Sequence, residues 1–225
     1  MKETEHRFLA TNSSGDVSAV LARPSKPKAI YVFGHGAGAG MRHEFMEAAS
    51  ARLVERSFAV FRYNFPYMEV GRRAPNPQPI LLETVRSAIA GATELEPKLP
   101  LLAGGKSMGG RMTSIAASKE PLEGVRGLAF FGFPLHAPGR DSDERGAHLA
   151  DVGLPMIFLQ GTRDELANLD LLAPLLKRVK PRPKLHASEF ADHGFHVPKR
   201  SGRTDDEVLD EICDAFAEWA EGVIG

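Results

Sequence analysis

Cysteine is nearly missing from this chain of 225 residues, in which Cys213 stands alone. A single cysteine excludes an intramolecular disulfide framework and suits a reducing compartment, so the cytoplasm is the expected location. Cys213 itself lies among apolar residues at helical spacing near the end of the chain. We expect it to be a small buried hydrophobic residue without a chemical role.

An excess of charge of either sign is missing as well. The chain has 28 Lys and Arg against 29 Asp and Glu, a formal net charge of -1. Such a balance provides no broad positive field for phosphates, so we expect no nucleic-acid partner. A few small basic groups are interpreted as solvated surface: Arg72, Arg73, Lys199, Arg200 and Arg203.

Long hydrophobic runs are the third absence. No stretch approaches the length of about 18 apolar residues that a membrane span requires. The segment MKETEHRFLA at the start also lacks the apolar core of a secretory signal. The sequence therefore predicts no membrane contact. With 43% hydrophobic and 25% charged residues, the composition is that of an ordinary globular protein, and we predict one domain over residues 1–225, with the oligomeric state left open.

Strand and helix patterns alternate along the chain. Residues 6–10 and 17–23 flank an Asn-Ser-Ser-Gly-Asp turn, which predicts an antiparallel hairpin. Buried strands are predicted at 29–33, 58–61, 99–103, 125–131, 155–160 and 185–190. Helices are predicted at 43–56, 80–95, 108–118 and 208–223, with loops at 66–79 and 177–184. This order predicts an α/β fold with a doubly wound, mostly parallel sheet and helices on both faces.

A serine follows one of the predicted strands and precedes a predicted helix. The segment Leu101-Leu-Ala-Gly-Gly-Lys-Ser-Met-Gly-Gly places Ser107 at this junction, with small residues on both sides. This is the context of a nucleophile elbow, in which a sharp turn projects the hydroxyl and glycines at 105 and 109 allow close packing. The start of the following helix favours developing negative charge.

A serine hydroxyl needs a base and a group that orients the base. Asp164 lies just beyond the next-to-last predicted strand and His193 just beyond the last, which is the Ser, acid, His order of such enzymes. We predict that His193 accepts the Ser107 proton and that Asp164 fixes its tautomer. His196 is the alternative base, and Glu165 and Asp192 are neighbouring acids.

The glycine-rich segment Gly34-His-Gly-Ala-Gly-Ala-Gly40 follows the first buried strand. Its backbone N–H groups suit an oxyanion hole, for which we predict Ala37 and Met108 as donors. His35 is expected to hydrogen-bond to backbone and shape the turn. A group of residues at the end of a central strand either lines the acyl pocket or packs in the core: Phe130, Phe131, Phe133 and His136.

Five ordered motifs carry a resemblance to a known family: GHGAGAG at 34–40, GGKSMGGR at 104–111, FFGFPLHAPG at 130–139, QGTRDE at 160–165 and ADHGFH at 191–196. With them the chain resembles the small, lid-poor α/β-hydrolases near the dienelactone-hydrolase group, over nearly its whole length. The resemblance implies an α/β-hydrolase fold with little or no lid, Ser107, Asp164 and His193 as the triad, and no metal or organic cofactor. True dienelactone hydrolases use a cysteine nucleophile, so lactone specificity is not implied.

The same residues allow three rival functions to be considered. A phosphate-binding loop ending in Gly105-Lys106-Ser107 would need a glycine at position 100, where the chain has Pro100. A dinucleotide site at Gly34-x-Gly36-x-x-Ala39 would need an acid at the end of the next strand, where Arg62-Tyr-Asn64 stands. A non-catalytic interaction protein that keeps the hydrolase fold is the third alternative.

The residues together predict an esterase-like serine hydrolase with a small-molecule acyl substrate. The short connection between the predicted strands at 125–131 and 155–160 predicts an open site, partly covered by residues 67–79. His193 and His196 lack further ligands at matching spacing, so no metal site is expected.

Overall fold

The computed structural model describes residues 2–225. Eight strands occur within them: β1 Lys2–Thr11, β2 Gly15–Arg23, β3 Ala29–Gly34, β4 Phe58–Tyr63, β5 Leu101–Lys106, β6 Val125–Phe131, β7 Met156–Gly161 and β8 Lys184–Ser188. The α-helices of this part of the chain are α1 Glu44–Glu55, α2 Pro66–Glu69, α3 Gln78–Leu95, α4 Met108–Lys119, α5 Leu169–Arg178 and α6 Asp205–Ile224. Two 3-10 segments span Glu144–Asp151 and Lys199–Ser201.

All eight strands join one sheet in the order β1-β2-β4-β3-β5-β6-β7-β8. β1 pairs with β2, and β2 with β4, in antiparallel fashion, whereas every pair from β4 to β8 is parallel. The predicted mostly parallel sheet and the predicted amino-terminal hairpin are thus confirmed. β3, β4 and β5 are short apolar strands buried on both faces, because helices cover both sides of the sheet.

Two hydrophobic clusters, one on each face, hold the helices to the sheet. One cluster contains apolar side chains of α3, α4 and α5, and the other contains those of α1 and α6. The helices after β3 and β5 therefore lie on opposite faces. The strand order reverses direction between β3 and β5, and a crevice at the carboxyl ends of the strands is expected at such a switch point.

Several boundaries differ from the predicted ones. Helix α5, Leu169–Arg178, was not predicted, and it includes the first two residues of the expected loop 177–184. Strand β5 begins at Leu101 and runs to Lys106, and β8 ends at Ser188 because Phe190 has a φ of 63°. The loop expected at 66–79 contains the short helix α2.

Candidate active site

Ser107 occupies the turn between β5 and α4. Its backbone has φ 50° and ψ -115°, a region that residues with a Cβ rarely adopt. The Ser107 N–H donates to the carbonyl of Phe131 on β6, which anchors the strained turn to the sheet. The predicted elbow is therefore present in the backbone.

Close packing around this turn requires glycine on both sides of Ser107. A Cβ on Gly105 would lie 2.4 Å from the carbonyl oxygen of Gly34, and one on Gly109 would lie 2.3 Å from the same atom. Both distances are far below van der Waals contact, and the atom that each Cβ would meet belongs to the main chain of β3. β3, β5 and α4 thus approach one another only because these two positions lack side chains.

The structure brings Ser107, His193 and Asp164 into one hydrogen-bonded chain. His193 Nδ1 lies 2.8 Å from Asp164 Oδ2, and His193 Nε2 lies 2.9 Å from Ser107 Oγ. A carboxylate only accepts hydrogen bonds, so Nδ1 carries the proton and donates to Asp164. Nε2 is then left with a lone pair, to which the Ser107 hydroxyl donates.

Asp164 is a buried carboxylate with every oxygen engaged. Its Oδ1 accepts the N–H of Leu166 at 2.8 Å, and its Oδ2 accepts a hydrogen from Nε2 of Gln160 at 2.5 Å as well as that of His193. The Gln160 Oε1 accepts the N–H of Phe133 at 2.9 Å. Sequence reasoning missed Gln160, although a polar residue at the end of the apolar strand Met156-Ile-Phe-Leu-Gln was a visible signal.

The glycine-rich loop after β3 passes beside Ser107. A Cβ on Gly36 would lie 3.7 Å from the Ser107 Cβ, and Ala37 lines the same cavity as Ser107. The neighbouring N–H of Gly38 donates to the Tyr67 hydroxyl at 2.9 Å, whereas the Ala37 N–H has no acceptor in the described part of the chain. Met108 is the first residue of α4, so its N–H has no intrahelical acceptor either.

A cavity of about 660 Å³ opens beside the Ser107 hydroxyl and His193. Its walls come from the glycine-rich loop, the start of α1, the loop after β8 and the start of α6. Apolar side chains form most of the wall: Phe45, Met46, Ala48, Phe195 and Leu209. Lys106 also reaches this cavity, and sequence reasoning assigned it no role.

Other predicted residues lie elsewhere. His35 is buried, its Nδ1 donates to the Gly36 carbonyl, and its Nε2 accepts the Phe65 N–H, so it shapes the turn as expected. Burial lowers the pKa of His35 to about 4, which keeps the imidazole neutral. His196 pairs with Asp205 at 2.7 Å and does not contact Ser107. Cys213 is buried, and burial raises the pKa of its thiol to about 12.

The aromatic group at the end of β6 belongs to the core. Phe130, Phe131 and Phe133 are fully buried and pack against other aromatic rings, and none lines the cavity. Of the two alternatives that the sequence left open, the acyl pocket and core packing, the structure shows core packing. Phe130 and Phe133 pack in the hydrophobic cluster on one face of the sheet, and Phe131 packs in the cluster on the other face. Helices cover both faces at this point. His136 likewise lies outside the cavity and accepts the Asn168 N–H.

The segments that were candidates for a cover leave the cavity open. The connection from β6 to β7 packs its 3-10 segment Glu144–Asp151 with α4 and α5, and contributes no residue to the cavity wall. Residues 67–79, expected to cover part of the site, contact the glycine-rich loop through Tyr67 but do not line the cavity. The prediction of partial cover was wrong, and the prediction of little or no lid is confirmed.

Within residues 2–225, no group of three or more His, Cys, Asp or Glu is arranged to hold a metal ion. Among the helices of the same range, none is both long and apolar enough to cross a bilayer.

The sheet order, the strained serine turn after β5 and the histidine after β8 together define a protein of the α/β-hydrolase class. Residues 27–221 match the family model described as an alpha/beta hydrolase domain, and the chain belongs to that family.

Solved structures share the fold at low sequence identity. An esterase domain from Rhodothermus marinus superposes with a TM-score of 0.74 at 18% identity, with both chains covered completely. A dienelactone hydrolase from Anabaena variabilis gives 0.76 at 18% identity over 99% of each chain. An α/β serine hydrolase without a lid from Xanthomonas campestris gives 0.75 at 17% identity, over 98% of this chain and 94% of that one. The likeness to the small, lid-poor hydrolases near the dienelactone-hydrolase group is thereby confirmed.

Proposed function

We propose that this protein is a serine hydrolase that cleaves a small carboxylic ester through an acyl-enzyme at Ser107. The observation that carries the proposal is the hydrogen-bonded chain from Ser107 through His193 to Asp164 at the wall of an open cavity. Each member has the protonation and direction that acyl transfer requires, since the serine donates to the imidazole and the imidazole donates to the carboxylate.

In the first half-reaction, Ser107 Oγ attacks the carbonyl carbon of the ester while His193 Nε2 takes its proton. Asp164 stabilises the imidazolium that forms, and Gln160 and the Leu166 N–H hold the carboxylate in place. The negative charge on the carbonyl oxygen is stabilised by the N–H groups of Ala37 and Met108. The imidazolium then protonates the departing alcohol, and the acyl group stays on Ser107.

In the second half-reaction, His193 Nε2 removes a proton from water, which attacks the acyl-enzyme carbonyl. Collapse of the second tetrahedral intermediate returns the proton to Ser107 and releases the acid. No cofactor enters either step, and every proton moves between His193 and an oxygen atom.

Cavity size and lining support a small acyl substrate. A volume of about 660 Å³ suits a small organic molecule, and the mostly apolar wall favours a hydrocarbon or aromatic acyl group over a charged one. The esterase domain and the dienelactone hydrolase among the structural neighbours act on ester bonds by name, which supports the ester as the bond cleaved.

A fluorophosphonate probe and a series of nitrophenyl esters of increasing chain length test the proposal. We expect the wild-type protein to be labelled at Ser107 and to hydrolyse short esters, and Ser107→Ala to lose both activities. Ser118→Ala, at the far end of α4, is the matched control and should keep both. A wild-type protein that neither reacts with the probe nor cleaves any ester would instead be a non-catalytic member of the fold. Labelling without hydrolysis would make esterase the wrong subclass.

A further inference from the structure

Lys106 is a half-buried cation beside the nucleophile. Its side chain reaches the cavity next to Ser107, and the only hydrogen-bond acceptor it finds in the described chain is the main-chain oxygen of His193, at 2.6 Å from Nζ. Asp164 and Asp192 act on it through space and not as bonded partners. A lysine whose ammonium group is partly withdrawn from water usually has a bonded carboxylate, because removing its charge from water is costly.

Two aromatic rings hold the ammonium group in place. Nζ lies 5.5 Å from the ring centroid of Phe45 and 5.4 Å from that of Phe195. The two rings are stacked on each other with centroids 5.6 Å apart and an interplanar angle of 16°. One ring comes from the start of α1 and the other from the loop that carries His193. The cation is thus attracted to both and has little freedom to leave the His193 carbonyl.

The loop that carries His193 has few other ties to the elbow. Asp192 accepts the N–H groups of Gly194 and His196 with its Oδ1, and the loop is held to the turn after β7, where the Arg163 N–H donates to the Ala191 carbonyl at 2.8 Å. The bond from Lys106 to the His193 carbonyl joins this loop to the residue directly before Ser107. This bond is therefore one of the contacts that set the separation between the His193 imidazole and the Ser107 hydroxyl.

We propose that Lys106 is a positioning residue, whose ammonium group, held by Phe45 and Phe195, fixes the main chain of His193 so that its imidazole stays within reach of the Ser107 hydroxyl. The inference rests on the proposed function, because this distance matters only if Ser107 and His193 perform acyl transfer. Lys106 touches neither the reacting hydroxyl nor the imidazole ring in this role.

The charge on Lys106 strengthens the bond. A hydrogen bond from a charged donor is shorter and roughly twice as strong as a neutral one. Burial lowers the pKa of Lys106 from its ordinary 10.5 to about 8, and the charges of Asp164 and Asp192 offset part of that effect. The ammonium form therefore predominates at pH 7 and is lost as the pH rises through about 8.

Other ionisable groups surround Lys106, and one of them needs a control. The loop after β7 presents Asp164, and the loop after β8 presents Asp192, His193 and His196. The starts of α1 and α6 add His43, Glu44, Asp205 and Asp206 around the cavity. His196 has a raised pKa because it donates to Asp205, so His196→Gln must be measured alongside.

The first experiment compares Lys106→Met with the wild-type protein on a nitrophenyl ester that the wild type cleaves. Methionine fills similar space but has neither charge nor donor. We expect kcat to fall by about 10- to 100-fold, since a small misplacement of a catalytic group costs this much, while KM changes little. Lys119→Met makes the same change at an exposed position of α4 and should stay within about twofold of the wild type.

Chemical rescue separates the ammonium from the rest of the side chain. Lys106→Cys treated with 2-bromoethylamine regains an ammonium at the reach of lysine, because the thiolate displaces bromide and forms a thioether. Cys213 is buried with a thiol pKa of about 12, so it does not compete for the reagent. We expect the treated variant to recover most of the lost kcat, and the treated Lys106→Met to recover none.

Two further readouts distinguish positioning from support of the fold. The wild type and His196→Gln should both lose kcat as the pH rises through about 8, and Lys106→Met should lack this decline. At pH 7 the urea midpoint of Lys106→Met should lie above that of the wild type, because a partly desolvated charge has been removed. That difference should shrink between pH 8 and 10.5, where folded Lys106 is already neutral and the unfolded chain is losing its proton.

Two results would overturn the inference. One is a kcat of Lys106→Met within about twofold of the wild type. The other is a loss of activity accompanied by a lower urea midpoint, which would make Lys106 a support of the fold. If the wild type itself fails to react with the fluorophosphonate probe, the proposed function is wrong, and that result is separate from both.

Discussion

At the scale of single residues, Gln160 links the carboxylate of the candidate triad to the backbone. Its amide donates to Asp164 Oδ2 and accepts the N–H of Phe133, and it is fully buried. Both groups it serves are also buried, so neither has water as a substitute partner. Gln160 therefore determines where the carboxylate points, although it contacts neither Ser107 nor His193.

We predict that Gln160→Met lowers both activity and stability. The substitution keeps the length of the side chain but leaves the Phe133 N–H without an acceptor, which should cost about 1–3 kcal/mol of unfolding free energy. Loss of one donor to Asp164 should lower kcat by about tenfold, because His193 is then less firmly oriented. Urea denaturation and ester hydrolysis measure the two effects.

Gln78→Met is the control for this prediction, since Gln78 is exposed at the start of α3. It should leave both quantities near their wild-type values. A Gln160→Met protein that is less stable but has normal kcat would mean that Gln160 supports the fold alone.

At the scale of elements, the contact between β3 and α4 depends on Gly109. A Cβ there would lie 2.3 Å from the Gly34 oxygen and 2.4 Å from the Gly34 carbonyl carbon. We predict that Gly109→Ala forces the strand and helix apart, costs about 1–3 kcal/mol or more, and displaces Ser107 so that probe labelling is lost. Thermal unfolding and fluorophosphonate labelling are the measurements.

Gly222 in α6 provides the matched control. A Cβ at this position meets no atom within 4 Å, and its backbone is helical. Gly222→Ala should therefore stabilise the protein by about 0.5–1 kcal/mol, since alanine loses less conformational freedom in a helix. Equal effects of the two substitutions would contradict the close-packing account of the elbow.

Elements with a clear periodic pattern were predictable, and those without one were not. β6 has the predicted bounds, and α4 and α6 differ from theirs by a few residues at the ends. Helix α5, Leu169–Arg178, was missed because it is short and has Pro174 in its interior, so the sequence shows no clear helical pattern there. Its helical conformation depends on tertiary packing. The 3-10 segment Glu144–Asp151 has no sequence signature at all.

The residues of the candidate site also fall into those that could be predicted from the sequence and those that could not. Ser107, Asp164 and His193 each follow a predicted strand in a motif, so their meeting at one edge of the sheet could be predicted. The contacts of Gln160 and Lys106 could not, because they depend on the direction of a side chain and on loops that are distant in sequence. The same holds for Phe130, whose burial follows from helices packing on both faces of β6.

At the scale of the whole molecule, the first two strands are tied to the rest of the chain. Both strands lie before the segment that matches the family model, which begins at residue 27. β2 nevertheless pairs with β4, and the buried guanidinium of Arg62 on β4 bonds to Glu3 on β1 at 2.7 Å. Ser18 donates from its backbone and hydroxyl to Glu69 in α2. These contacts would all break if the hairpin unfolded separately.

We propose on this basis that residues 1–225 form a single domain, and we predict one cooperative unfolding transition. Trp219 in α6 contacts β6, where a Cβ on Gly127 would lie 3.0 Å from its ring, so its fluorescence reports on that face of the sheet. Far-ultraviolet circular dichroism reports on all helices and strands. The two signals should share one urea midpoint, because the helices of both faces pack on a single sheet and strand β2 of the hairpin pairs with β4. Two separated midpoints would mean that the hairpin or one face unfolds independently, and the single-domain proposal would then be wrong.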